Sequence, residues 1–112
     1  MTYFKPSEFV CKHCGASGMN PKFLKMLDKA REIAGVPFVI TSGYRCEVHN
    51  KAVGSTSTNH TSGKAADIAA TSNTIRGKIL RGLYLAGFQR IGIAKTFIHC
   101  DISDAPESAW LY

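Results

Sequence analysis

The sequence has no long hydrophobic run. No stretch of the 112 residues approaches the roughly 18–20 consecutive apolar residues that a membrane-spanning helix needs, so no membrane span is expected. Internal repeats, low-complexity tracts and linkers are also missing, which argues against a string of domains. The 45% hydrophobic and 20% charged content is typical of a globular protein. We therefore expect one domain, residues 1–112, with a single hydrophobic core.

Acidic residues are scarce relative to basic ones. Fourteen Lys and Arg face eight Asp and Glu, which gives a net charge of +6 and a sequence pI near 9.3. Such a surface attracts polyanions, for example nucleic acid or the anionic envelope of a bacterium. The basic residues form no dense block, and no helix-turn-helix, ribonucleoprotein or zinc-finger signature is present. We therefore expect no nucleic-acid partner, and a DNA-binding domain is the weakest hypothesis.

The N-terminus lacks the basic-then-apolar order of a secretory signal peptide. It reads "MTYFKPSEFVCKHCG", with no apolar core after the first charges. We expect a protein made in the cytoplasm, which would need another route, or release, to act outside it.

Two segments have the apolar spacing of amphipathic helices. The first, "NPKFLKMLDKAREIAGVP", has Asn20 as an N-cap, Pro21 in the first turn, and Gly35 and Pro37 as stop signals. The second, "SNTIRGKILRGLYLAGF", stops at Gly87. The apolar positions are Phe23, Leu24, Leu27, Ala30 and Ala34 in the first and Ile75, Ile79, Leu80, Leu83 and Ala86 in the second.

Several short apolar runs indicate strands. They are residues 38–41, "KAADIAA", "FQRIGIA" and "TFIHCDI", and the last two are expected to form a hairpin. Residues 46–53 are expected to form a short helix and residues 54–63 a loop. The pattern predicts an α+β domain, with helices packed on a small, mainly antiparallel sheet.

Four side chains are candidate ligands for a divalent ion: His60, Asp67, His99 and, less directly, Asp101. Asp67 lies in an apolar strand, where an unpaired carboxylate costs several kcal/mol. His99 and Asp101 are two residues apart on a strand and therefore share a face. A catalytic zinc site needs three N or O ligands and an open position for water. The alternative is that Asp67 caps backbone amides and the histidines are surface residues.

The stretch "SGYRCEVHNKAVGSTSTNHTSGKAADI", followed by "FIHCD", resembles the zinc D-alanyl-D-alanine carboxypeptidases and their phage endolysin relatives. This superfamily also contains lysostaphin-type enzymes and the hedgehog domain. The shared pattern is SGYR, then H-x-x-G-x-A-x-D, then a late H-x-D. The resemblance covers most of the chain and implies a hedgehog/DD-peptidase-like fold.

The resemblance also implies site roles. His60, Asp67 and His99 match the zinc ligands of the family, so Zn²⁺ is the expected cofactor. Arg45 matches the arginine that holds the substrate carboxylate, for which a planar guanidinium is well suited. Alternatively, Arg45 could form a structural ion pair. His49 and Asn50 are expected to be structural.

The expected general base is the point where this sequence departs from its relatives. Several relatives carry an acidic residue a few positions before the last zinc histidine, but "IGIAKTFI" contains none. Asp101 is the nearest acidic residue on the same face as His99. It could act as the base that takes a proton from the zinc-bound water. It could equally orient His99 through a hydrogen bond.

The four cysteines allow three interpretations. Cys11, Cys14, Cys46 and Cys100 could form disulfides in an oxidising compartment. Cys11 and Cys14, with Cys46 or a histidine, could bind a structural zinc. Without a signal peptide, four reduced thiols are the default expectation.

The leading hypothesis is a monomeric zinc peptidase that cuts peptidoglycan stem peptides. It could be a D-Ala-D-Ala carboxypeptidase or an L-Ala-D-Glu endopeptidase. The absence of a leader suits a bacteriophage endolysin released to the cell wall, or a virion component. The alternative is a non-catalytic zinc-containing structural or binding module on the same scaffold.

Overall fold

The computed structural model describes residues 2–46 and 60–112. A 3₁₀ helix, Pro6–Phe9, opens this part of the chain, which also contains two α-helices and five strands. The helices and strands are α1 (Pro21–Ala34), β1 (Ile40–Ser42), β2 (Ala65–Ala69), α2 (Asn73–Leu85), β3 (Arg90–Ile93), β4 (Phe97–Asp101) and β5 (Ser108–Leu111).

The first α-helix begins and ends at the predicted signals, and α2 ends at Leu85, two residues before its predicted stop at Gly87. The side chain of Asn20 accepts from the amides of Lys22 and Phe23 at the start of α1. Gly35 ends α1 in the left-handed conformation, and its amide donates to the Arg31 carbonyl. At 14 and 13 residues, both helices are too short to cross a bilayer, and residues 2–46 and 60–112 contain no other candidate span.

The two α-helices approach each other closely at Gly82. A Cβ at this position would lie 2.4 Å from the Ala30 carbonyl oxygen and 2.8 Å from the Ala34 Cβ. Only glycine permits this backbone separation. The helix pair therefore packs as one layer, and its buried face consists of Phe23, Leu27, Ala30, Ala34, Ile79 and Leu83.

The sheet has the strand order β1-β2-β4-β3-β5. All neighbouring strands pair antiparallel except β3 and β5, which are parallel. The predicted β3–β4 hairpin is present. The α+β class with a mainly antiparallel sheet is confirmed.

Two strand predictions need correction. The first strand is Ile40–Ser42 rather than 38–41, because Phe38 is buried in the core before sheet pairing begins. The last strand, Ser108–Leu111, was not expected, because its residues are mostly exposed and carry no apolar alternation. The short helix predicted for 46–53 lies outside the described residues, apart from Cys46, which is not helical. Of the predicted loop 54–63, residues 60–63 are described and form a turn.

The two faces of the central strands have opposite characters. Ala66, Ile68, Ile98 and Cys100 are fully buried in the core. Their neighbours along β2 and β4 point to the other face, where they form a buried polar cluster of Asp67, His99 and Asp101. The sheet thus separates the hydrophobic core from the candidate site.

Candidate metal centre

One row of residues crosses the whole sheet and forms the floor of the site. Asp67 pairs with His99 across β2 and β4, and Gly92 pairs with His99 across β3 and β4. Ser42 and Trp110 complete the row on the two edge strands. Directly opposed residues lie close together on one face. Sheet register therefore brings together groups that are up to 68 residues apart in sequence (110 − 42).

His60 reaches the sheet from the turn that precedes β2. The turn folds tightly against the N-terminal segment, where the amide of Asn20 donates to the Gly63 carbonyl at 2.9 Å. Gly63 has a φ of +72°, and a Cβ there would lie 1.9 Å from the Gly18 carbonyl oxygen. Glycine is therefore required at this position both by backbone conformation and by space. The small residue allows His60 to fold back toward Asp67.

The structure brings the three predicted metal ligands together. His99 Nδ1 lies 3.0 Å and His60 Nε2 lies 3.4 Å from the same Asp67 oxygen, Oδ1. The ligand atoms of the three residues all lie within 4.8 Å of one another. All three side chains are buried, with exposed fractions of 5%, 8% and 4% in chain order.

The second nitrogen of each histidine is held by an acceptor. His60 Nδ1 donates to the Gly43 carbonyl oxygen at 2.8 Å. His99 Nε2 donates to Asp101 Oδ2 at 2.7 Å. These bonds leave His60 Nε2 and His99 Nδ1 directed at Asp67, the arrangement by which proteins orient metal-ligating histidines. Two imidazoles and one carboxylate in this geometry fit a catalytic zinc ion.

The pKa values of Asp67 and His99 are shifted in opposite directions by their mutual hydrogen bond and by their neighbours. Burial raises the pKa of Asp67, but hydrogen bonds from His60 and His99 outweigh burial and hold it well below its usual range. Burial lowers the pKa of His99, but hydrogen bonds to Asp101 and Asp67 outweigh this effect and raise it. Without metal, His99 therefore keeps its second ring proton to a higher pH than an ordinary histidine does, and the imidazolium form donates to both carboxylates.

Asp101 lies behind His99, with no exposed side-chain surface. Its Oδ2 accepts from His99, and its Oδ1 accepts from Arg90 Nε at 2.8 Å and from the Ser103 amide at 3.2 Å. Burial raises the pKa of Asp101, but the hydrogen bonds from His99 and Ser103 lower it overall. Asp101 is thus an ionised group with partners at both oxygens.

Arg45 lies beside the predicted metal ligands, on the segment after β1. One terminal nitrogen lies 3.4 Å from Asp67 Oδ2, and Nε donates to Ser42 Oγ at 3.0 Å. The backbone amide of Arg45 donates to the His60 carbonyl at 3.2 Å. Arg45 is therefore connected to two of the three predicted ligands, Asp67 and His60. Its side chain keeps 15% of its surface exposed.

Three residues at the site were not identified from the sequence. Arg90 pairs with Asp101 and stacks on the Trp110 ring at 5.1 Å, and the Trp110 ring lies 5.5 Å from that of His99. Gly92 leaves the space that the indole fills, because a Cβ there would lie 2.6 Å from Trp110 Nε1. The alternation of "FQRIGIA" places Arg90 and Gly92 on one face and could have indicated Arg90. No local signal indicates Trp110.

The predicted site residues His60, Asp67, His99, Asp101 and Arg45 all lie in this one cluster. His49 and Asn50 lie outside the described residues. Three of the four cysteines, Cys11, Cys14 and Cys46, form a second cluster that shares no residue with the sheet row.

Comparison with known proteins gave a family match and a similar fold. A sequence model of the family described as Peptidase M15 matches residues 2–101. The fold is similar to the crystal structure of the L-Ala D-Glu endopeptidase ChiX from Serratia marcescens. The TM-score is 0.53 and the identity 18%, over 77% of this chain and 81% of that one. At this identity the likeness shows a shared fold. A comparison with curated protein sequences gave no match.

Proposed function

Because the chain belongs to the M15 peptidase family, we propose that it is a zinc-dependent peptidase acting on the stem peptides of bacterial peptidoglycan. One observation supports this function above the others. His60 Nε2 and His99 Nδ1 converge on Asp67 Oδ1, and the opposite nitrogen of each ring is held by an acceptor. Such an arrangement orients both histidines toward a single ion.

His60, Asp67 and His99 would hold the zinc ion and leave a position open for water. Zinc, when bound, supplies a Lewis acid that activates water and polarises the scissile carbonyl. The chain's own contribution is orientation. Gly43 and Asp101 fix the two imidazole tautomers, and burial of the cluster limits competing hydrogen bonds from solvent.

For Asp101, we favour the positioning role over the role of general base. A base must reach the proton that it removes. The Asp101 carboxylate has no exposed surface and bonds to His99, Arg90 and the Ser103 amide. A carboxylate behind a ligating histidine raises the basicity of that ligand and fixes its ring.

Arg45 is proposed to bind a carboxylate of the stem peptide. Its guanidinium lies at the edge of the cluster, and Ser42 and Asp67 hold it in place. A guanidinium is a planar fork of donors, a shape that suits a bidentate carboxylate.

The bond to test first is the one between L-alanine and D-glutamate. ChiX, whose fold is similar, is named for that activity. A D-alanyl-D-alanine bond is the alternative. The net charge of +6 would favour adsorption to an anionic cell wall, which suits a phage lysin or virion component.

A non-catalytic binding module on the same scaffold is the second candidate. The observation that favours it is the state of Asp101, the predicted base, which has partners at both oxygens. A module of this kind would hold zinc and bind wall peptides without cutting them.

Digestion of purified peptidoglycan tests the proposal. The protein is incubated with walls of several types, with zinc and with a chelator, and released fragments are identified by mass spectrometry. We expect chelator-sensitive fragments whose masses identify the bond, and none from His60→Ala, which removes one ligand. Zinc-loaded protein that releases no fragments from any wall type would favour the binding module.

A further inference from the structure

We propose that Cys11, Cys14 and Cys46 form a second, structural zinc site, with His13 as the fourth ligand. The site belongs to the N-terminal part of the chain and is separate from the sheet row that carries His60, Asp67 and His99. It does not depend on whether the protein hydrolyses peptidoglycan.

The first argument is the geometry of the donors. The three sulfur atoms lie within 4.8 Å of one another. Zinc–sulfur bonds of about 2.3 Å place the thiolates of a tetrahedral site about 3.8 Å apart, so small side-chain rotations complete the site. His13 Nδ1 lies 3.5 Å from Cys46 Sγ but outside the group of three sulfurs, so the imidazole would have to move toward the other two to supply the nitrogen donor. Three cysteines and one histidine form one of the common structural zinc sets.

The second argument is the local backbone. The Gly15 amide donates to the Cys11 carbonyl at 2.7 Å, and the Cys11 amide donates to the Ala16 carbonyl at 2.8 Å. These two bonds close residues 11–16 into a tight loop, which Gly15 enables with a φ of +73°. Cys11 and Cys14 thus lie on one short loop, the usual arrangement of a Cys-x-x-Cys metal knuckle.

The third argument is the environment of the Cys11 sulfur. Cys11 is 1% exposed, yet its Sγ accepts a hydrogen bond from the Cys46 amide at 3.4 Å. This bond holds the segment that carries Cys46 against the Cys11 sulfur, which places the third cysteine beside the loop that carries the first two.

A metal uses these groups more completely than a disulfide would. A disulfide joins only two sulfur atoms, whereas one metal ion can bind all three sulfur atoms of the cluster. Cys100 is separate: it is fully buried in β4, and its thiol faces the Ala66 carbonyl.

The position of the cluster suggests what the metal would stabilise. Cys46 directly follows Arg45, whose amide donates to the His60 carbonyl. The Tyr44 amide donates to the Phe9 carbonyl at 2.8 Å, two residues before Cys11. A metal at the cluster would therefore fasten the N-terminal segment to the segment that carries Arg45.

Metal content of single variants tests the site. The full chain is purified under reducing conditions, and its zinc is measured by mass spectrometry and by Co²⁺ substitution. We expect two equivalents of zinc per chain in the wild type and one in His60→Ala. After Co²⁺ substitution, both proteins should show a thiolate-to-cobalt charge-transfer band. Cys14 is exposed, so Cys14→Ser should fold. This variant should lose the band and bind its second equivalent at least about 10- to 100-fold more weakly. Cys100→Ala is the matched control and should keep both the second zinc equivalent and the cobalt band.

Stability measurements test the structural role. Chelation of His60→Ala should lower its thermal midpoint, because that variant retains the cysteine site alone. The proposal fails if fully reduced His60→Ala holds no metal, or if Cys14→Ser keeps two equivalents and the cobalt band. A wild type that holds one equivalent with a full thiolate band would instead count against the His60–Asp67–His99 site. The two proposals therefore fail in distinguishable ways.

Discussion

Asp67 shows how a charge becomes tolerable on an apolar strand. It is 8% exposed, and a buried carboxylate without partners costs several kcal/mol. Here His60 and His99 approach Oδ1, and Arg45 approaches Oδ2. The sequence could identify Asp67 because its alanine and isoleucine neighbours made an unpaired charge too costly. It could not show which three groups supply the compensation.

Replacement of Asp101 by asparagine separates positioning from base catalysis. The Asp101→Asn side chain can still accept from His99 but loses the charge that makes the imidazole a stronger ligand. We expect zinc affinity to fall by about 10- to 100-fold, while turnover at saturating zinc stays near that of the wild type. Zinc titration and steady-state kinetics on a stem peptide measure the two quantities.

The exposed Asp104 provides the matched control, since Asp104→Asn removes the same charge three residues further on. Asp104→Asn should change neither the zinc affinity nor the turnover. Unchanged zinc affinity with a large loss of turnover in Asp101→Asn would assign the base to Asp101.

Arg45 is expected to act on substrate binding. Removal of its guanidinium in Arg45→Ala should raise KM for a short stem peptide by about 10- to 100-fold, with a smaller effect on kcat. The reason is that hydrogen bonds to charged groups contribute about 1.5–3 kcal/mol. Arg45→Lys should restore only part of the loss, because it keeps the charge without the planar fork. Unchanged KM with weakened zinc binding would instead indicate that Arg45 only holds Asp67.

At the scale of elements, the register of four strands builds the site. Asp67, His99, Gly92 and Trp110 occupy successive strands in one row. Helix boundaries were predictable because caps and stops are local signals. The last strand was not, because its pairing with β3 is parallel and depends on groups far away in sequence. Trp110 was missed for the same reason.

Gly92→Ala tests whether the row of Asp67, His99, Gly92 and Trp110 contributes to stability and activity. The added Cβ would lie 2.6 Å from Trp110 Nε1, so the indole must move away from His99. We expect a loss of about 1–3 kcal/mol in the free energy of unfolding and a lower activity. Chemical denaturation and peptidoglycan digestion measure both.

Gly77→Ala is the control for this prediction. The added Cβ on α2 would have no neighbouring atom within 4 Å. The free energy of unfolding of this variant should therefore rise by about 0.5–1 kcal/mol. A Gly92→Ala protein with wild-type stability and activity would show that the indole position does not matter.

At the scale of the whole molecule, the polar cluster makes stability depend on pH and metal together. Because the pKa of His99 is higher in the folded protein than its ordinary value of 6.5, protonated His99 stabilises the metal-free fold. This contribution is complete at pH values below 6.5 and is lost as the pH rises through the pKa of His99 in the folded protein. The lowered pKa values of Asp67 and Asp101 stabilise it above the ordinary value of 3.8, and this contribution is lost as pH falls.

The metal-free protein should therefore be most stable between about pH 4 and 6.5. Zinc binding needs a deprotonated ligand nitrogen on His99, so the zinc-loaded protein should reach its maximum at a higher pH. Thermal unfolding across pH, with a chelator and with zinc, measures both curves. Coincident curves would show that His99 does not exchange its proton for metal.

The sequence by itself determined the helices, the strands that carry Asp67 and His99, and the motif that marks the ligands. It could do so because helical spacing, strand alternation and caps act over a few residues, and because a buried charge signals a partner. Tertiary structure alone decided the rest: the alignment of Asp67 with His99, the indole over Gly92, and the return of His60 across Gly63. It also brought Cys46 to Cys11 and Cys14. These contacts arise from sheet register and chain packing between distant segments, which no local pattern encodes.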